Sequence, residues 1–167
     1  MLPKLIGSMF IFAACCGVGY AKSYDMQLHL MELEELKKMF YLLRSELQYT
    51  RAPFADVFEK IGKKVTEPYQ TWLQNLCDYL SCKKGGGFWE IWNRSIEENL
   101  RNSRLKEEEI NELKQVGKNL EYIESLDLYL EQMEYQIKNT KEIYQSKRKL
   151  CQSLGIAGGI FLVILLL

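Results

Sequence analysis

Beyond Lys149 the chain carries no charge. Its last 18 residues run from Leu150 to Leu167, and the final 14, from Leu154 onward, are all apolar or glycine. A stretch of that composition avoids water either in a protein core or in a bilayer. As a helix rising about 1.5 Å per residue it would be roughly 27 Å long, close to the hydrocarbon thickness of a membrane. Gly155, Gly158 and Gly159 weaken a helix in water, but small residues are common in membrane helices, where they allow close packing. A core helix at an exposed terminus would leave too much apolar surface to cover. The reading is a membrane segment over residues 150–167.

Charge placement elsewhere extends the argument. The chain has 22 basic and 22 acidic residues, so it has no bulk attraction for nucleic acid, and general phosphate binding is disfavoured. No charge falls between Lys4 and Lys22, and every acidic residue lies between Asp25 and Glu142. Leu5 to Ala21 is therefore a second apolar segment, of 17 residues. It has three readings. Gly19 and Ala21 suit a cleaved signal peptide, Phe12-Ala13-Ala14 before Cys15 suits a lipoprotein signal, and the whole suits an uncleaved membrane helix over residues 1–22. Lys138, Lys141, Lys147, Arg148 and Lys149 precede the tail, and the positive-inside rule then places residues 23–149 in the cytoplasm. A cleaved signal would export that middle. The two ends agree when both stay as anchors, with Lys4 the contrary sign. Of the five cysteines, Cys15, Cys16 and Cys151 lie in or beside the apolar ends. Cys77 and Cys82 have neither zinc nor redox spacing and read as small buried hydrophobes.

The middle repeats with helical period. Leu33, Leu36, Phe40, Leu43 and Leu47 mark one face between Met26 and Thr50. Thr50 to Pro53 interrupts, with Pro53 suited to the first turn of the next helix. Phe54, Val57, Phe58 and Ile61 follow, and Gly62 reads as a C-terminal cap. Thr66-Glu67-Pro68 starts a helix with Tyr69, Trp72, Leu73, Leu76 and Leu80. Lys83 to Gly87, KKGGG, has lysines before its glycines, the reverse of a Walker loop, and reads as a connection. Phe88, Trp89, Trp92, Ile96 and Leu100 open another helix, whose tryptophans read as core. Ile110, Leu113, Val116, Leu120 and Ile123 give way to Leu126, Leu130, Met133, Ile137 and Tyr144, a heptad-like run leading into the tail. No alternating run or hairpin dipeptide signals a strand. The fold class is all-α, an antiparallel helical bundle between two terminal transmembrane helices.

Chemistry is hard to place. The single histidine, His29, has no partner visible in sequence and reads as decoration of the first helix. No Gly-x-Ser-x-Gly elbow, HExxH or dinucleotide fingerprint occurs. Glu107-Glu108-Glu109 opens a helix, where acids favour the positive end of its dipole. No catalytic, cofactor or metal residue is assigned, and the chain reads as a non-enzyme.

The stretches LRSELQYTRAPFADVFEKIG (Leu43 to Gly62), FWEIWNRSIEEN (Phe88 to Asn99), LKEEEINELKQVGKNL (Leu105 to Leu120) and the ending SLGIAGGIFLVILLL resemble the stage III sporulation protein AB family, over nearly the whole chain. Glu46, Tyr49 and Pro53 fall on its Glu-x-x-Tyr-x-x-x-Pro pattern, and Gly117 and Leu120 on its Gly-x-x-Leu. Where that family has Gly then Asp in a turn, this chain has Glu121-Tyr122-Ile123-Glu124, which removes the signal for a break between the last two helices. The resemblance implies a mother-cell protein of endospore-forming bacteria at the membrane around the forespore. It also implies a part in a channel-like assembly with other stage III sporulation proteins. Its soluble domain would be similar to the cytoplasmic domains of type II secretion and type IV pilus platform proteins, and would dock a secretion-type ATPase. Glu46, Tyr49, Pro53 and Gly117 become the candidate interface or structural motif, and Lys147, Arg148 and Lys149 the membrane-interface charges. Homo-oligomer formation stays open. The competing class is an exported lipoprotein or tail-anchored adaptor without a secretion partner.

Overall fold

A computed structural model describes the backbone of residues 2–50, 52–82, 86–120 and 122–166, and side chains within 24–150 apart from residues 51, 83–85, 121 and 148. Six helices account for it: α1 (Leu2–Tyr49), α2 (Phe54–Gly62), α3 (Tyr69–Ser81), α4 (Phe88–Asn99), α5 (Glu107–Val116) and α6 (Ile123–Leu166). No strand occurs among the described residues, so the all-α reading holds. Of the apolar ends, residues 2–22 belong to α1 and residues 150–166 to α6, but the side chains of 2–22 and 151–166, Cys15, Cys16 and Cys151 included, lie outside those described. Among the described residues no helix is long and apolar enough to cross a membrane. The chain divides into two units, Met1–Leu30 with Lys138–Leu167, and Met31–Ile137.

In the larger unit the predicted stripes become the core. Leu33, Leu36, Phe40 and Leu43 of α1 are buried together with Leu126, Leu130, Met133 and Ile137 of α6. Their helices run antiparallel here, because partners rise along α1 as they fall along α6. Lys37 faces Glu134 at 3.8 Å, the Phe40 ring meets Tyr129 edge-on at 4.8 Å, and Arg44 meets Asp127. α2 and α3 are likewise antiparallel: Ala55 lies by Cys77, and Gly62 by Leu73. Fully burying one such Leu or Phe contributes about 1.5–3 kcal/mol, which is why the stripe and not helix propensity decides the fold.

Two carboxylates of α1 tie connecting segments to this core. Glu35 accepts the Thr66 N–H at 2.8 Å, before α3, and Glu32 accepts the Arg104 N–H at 3.0 Å, before α5. Loop amides near a core need such partners, since an unmade buried bond costs about 1–3 kcal/mol. Burial by itself raises the Glu35 pKa, but hydrogen bonds from Lys38 and the Thr66 amide outweigh it and hold the carboxyl below its ordinary value. Glu109 accepts the Lys106 N–H at 2.8 Å and closes the first turn of α5, as its acidic start predicts.

Several sequence expectations change. Gly62 is the last residue of α2, and Lys63, in the right-handed helical region at φ −72°, occupies the cap, so no left-handed glycine ends that helix. Trp89 is 42% exposed rather than core, with the Lys118 ammonium 5.2 Å from its ring centre. His29 is buried rather than decorative. The break between α5 and α6 exists despite the missing turn signal: Lys118 N–H bonds to Gln115 O, and Tyr122 N–H to Asn119 O, in tight three-residue closures.

Candidate functional site

The Glu46, Tyr49 and Pro53 motif spans the junction of α1 and α2. α1 ends where the Thr50 N–H and hydroxyl both bond to the Glu46 carbonyl, at 2.8 and 2.7 Å. Pro53 then stands at φ −56°, ψ 146°, just outside α2, and its carbonyl receives the Asp56 and Val57 N–H groups. The ring fixes the backbone angle that lets the chain leave an extended residue and enter a helix. Within this corner the Glu46 carboxylate takes the Lys60 ammonium on both oxygens, at 2.6 and 2.7 Å, spanning α1 and α2. Tyr49 is 80% exposed at the end of α1. The corner thus brings Glu46 and Pro53 into one junction and leaves Tyr49 pointing to solvent.

Gly117 belongs to a different place. It sits at φ −58°, ψ −23° after α5, angles that any residue adopts. What requires glycine is the indole of Trp92: a Cβ at this position would stand 2.5 Å from Nε1 and 2.7 Å from Cγ. That indole is wholly buried, and its N–H donates to the Leu113 carbonyl in the last turn of α5 at 3.0 Å. Trp92 in turn meets Trp72 edge-on at 5.0 Å, and the Trp72 N–H donates to the Ser95 hydroxyl at 3.0 Å. Ser95 passes its own proton to the Trp92 carbonyl at 2.8 Å. Phe58 and Phe88 stack beside them, with centroids 6.0 and 5.9 Å from Trp92. Both indole N–H groups and the Ser95 hydroxyl are used, as burial demands, whereas the buried hydroxyl of Tyr69, whose ring lies 6.3 Å from that of Trp72, has no partner among the described residues.

Sequence reasoning missed Lys60 and the Trp92 indole as neighbours of the motif residues, and Ser95 as the acceptor for the Trp72 N–H. Only Lys60 left a signal, a lone cation one and a half turns into α2. Of the basic residues expected at a membrane interface, Lys147 and Lys149 are exposed on α6, and the Arg148 side chain lies outside the described residues, as do Lys83 and Lys84 of the glycine-rich connection.

Chemically the described surface offers little for catalysis. No group of three or more His, Cys, Asp or Glu residues among those described is arranged to hold a metal. The Cys77 thiol is pushed up to about 11 by burial and donates to the Ala55 carbonyl, so it is not a ready nucleophile. Burial raises Tyr69 and Tyr129 further still.

No curated protein matches the chain. A solved structure of a stage III sporulation protein AB shares its fold, with a TM-score of 0.64 at 19% identity, over 71% of this chain and 97% of that one. The family description "stage III sporulation protein AB" matches residues 4–167. With that extent of match, order and spacing included, the chain belongs to the stage III sporulation protein AB family.

Proposed function

We propose that this sporulation protein is a non-catalytic membrane platform. Residues 1–22 and 150–167 would be its two anchors, and residues 23–149 a cytoplasmic helical domain that docks a secretion-type ATPase within a stage III sporulation complex at the mother cell–forespore membrane. The observation that carries the reading is the junction at Lys147 to Lys149: a basic stretch, exposed at Lys147 and Lys149, passes directly into an uncharged run while α6 remains helical to Leu166. Family membership supplies the sporulation setting. The ATPase comes from the family resemblance, and the packed helical core of the domain fits a surface to push against.

Cysteine accessibility tests the topology. A Cys-free full-length chain with one reporter cysteine at Ser103 should resist an impermeant maleimide in intact cells and react after permeabilisation. Labelling in intact cells would overturn the arrangement and favour the exported form, as would a lipid attached at Cys15. Reciprocal pull-down with the ATPase tests docking separately, and its failure with correct topology would leave a two-anchor adaptor.

A further inference from the structure

In the larger unit a groove opens between α5 and α6. Its volume is about 540 Å³, and Glu112, Leu128, Glu131, Gln132, Tyr135 and Gln136 line it. Leu128 and Tyr135 lie seven residues apart, hence on one face of α6, and are 58% and 73% exposed. Large apolar side chains that open, set together beside a concavity, mark a place where something docks. The polar lining holds two carboxylates and no cation. The wider surface has the same sign: between Glu107 and Ile137 the sequence has nine acidic residues against two basic ones. Arg44 engages Asp127, and Tyr41 and Lys37 engage Glu134, whereas Glu112 is held only by the neutral Gln136 amide at 2.8 Å.

We propose that this groove seats an amphipathic helix of a partner protein, apolar on the side that covers Leu128 and Tyr135 and carrying Lys or Arg beside it to meet Glu112 and Glu131. Apolar anchors at helical spacing give such a contact its affinity, and opposed charge fixes its register and speeds encounter. A second copy of this chain fits less well, because it would bring the same acidic face or its own exposed apolar pair. The inference stands apart from the membrane and ATPase readings, since it rests on α5 and α6 alone.

Photo-crosslinking in the sporulating host, with the full-length chain, decides the matter. Benzoylphenylalanine replaces Leu128 in one strain, Tyr135 in a second, and Asn102 as a control. Both groove positions should trap one segment of another protein. Sequenced by mass spectrometry, that segment should show apolar residues at steps of three and four with at least two flanking Lys or Arg. Adding Glu131→Lys should lower the yield about tenfold, and Glu131→Gln by a smaller factor, at unchanged protein level. Trapping of a second copy, of lipid or of an acidic segment would overturn the proposal. So would the absence of any adduct above the Asn102 control, or a yield indifferent to Glu131.

Discussion

Gly117→Ala isolates the reason this chain keeps a glycine after α5. At φ −58° the backbone is helical, so on conformational grounds alone alanine stabilises by about 0.4–1 kcal/mol. Packing opposes it. The new Cβ would lie 2.5 Å from the Trp92 Nε1, where contact needs 3.4 Å or more. The indole must therefore withdraw by about 1 Å, and overpacking of that kind costs roughly 1–3 kcal/mol. Withdrawal also stretches its 3.0 Å bond to the Leu113 carbonyl, worth about 1 kcal/mol more. The ring cannot slide away cheaply, since it is wholly buried with the Trp72, Phe58 and Phe88 rings packed against it. Packing wins, by about 1–3 kcal/mol net. The assay is thermal unfolding of the full chain in neutral detergent, followed by tryptophan fluorescence, with Tm expected to fall by roughly 5 °C. In a Trp92→Leu background the same substitution should cost at least about 1 kcal/mol less. A Gly117→Ala protein as stable as its parent, or an unchanged cost without the indole, refutes the steric account.

Two further outcomes follow from the carboxylates of α1. Glu46→Gln should leave the chain folded and cost no more than about 1 kcal/mol by chemical denaturation, because Lys60 is 55% exposed and water screens the pair; unchanged stability with defective spore formation would assign Glu46 to docking. Glu35 has its folded pKa depressed below 4.5, so its contribution is present above that value and is lost as pH falls through the folded pKa. Glu35→Gln should therefore lower Tm at pH 6 and do so progressively less towards pH 3, and a deficit independent of pH would refute the linkage.

What could be read from the sequence was whatever depends on local period. The Leu33, Leu36, Phe40 and Leu43 stripe is buried, and α2 spans Phe54 to Gly62 between its proline and the following lysines. What could not be read depends on residues distant along the chain. Trp89 shares a flank with Trp92, yet only the tertiary packing decides that the stripe is centred on Ile91, Trp92, Ser95 and Ile96 and leaves Trp89 outside. The demand for glycine at 117 comes from an indole 25 positions earlier, and no turn signal announces it. The α5–α6 break is closed by backbone bonds of a kind that any sequence can make, which is why replacing Gly-Asp did not remove it.

The acidic residues, uniform in composition, separate by task once their partners are known. Glu32 and Glu35 accept loop amides, Glu109 closes a helix start, and Glu46 meets Lys60 across a corner. These are held in place by donors of this chain, and removing one leaves an amide or ammonium without its acceptor. Glu112 and Glu131 are different: they line an open groove beside exposed Leu128 and Tyr135 with no cation among the lining residues. Repulsion among the eight acids on α5 and the start of α6 costs stability that neutral residues there would restore. Beyond the Gln136 amide that reaches Glu112, folding gains little from placing carboxylates and open apolar side chains together at the groove, a pattern that fits the docking surface proposed above.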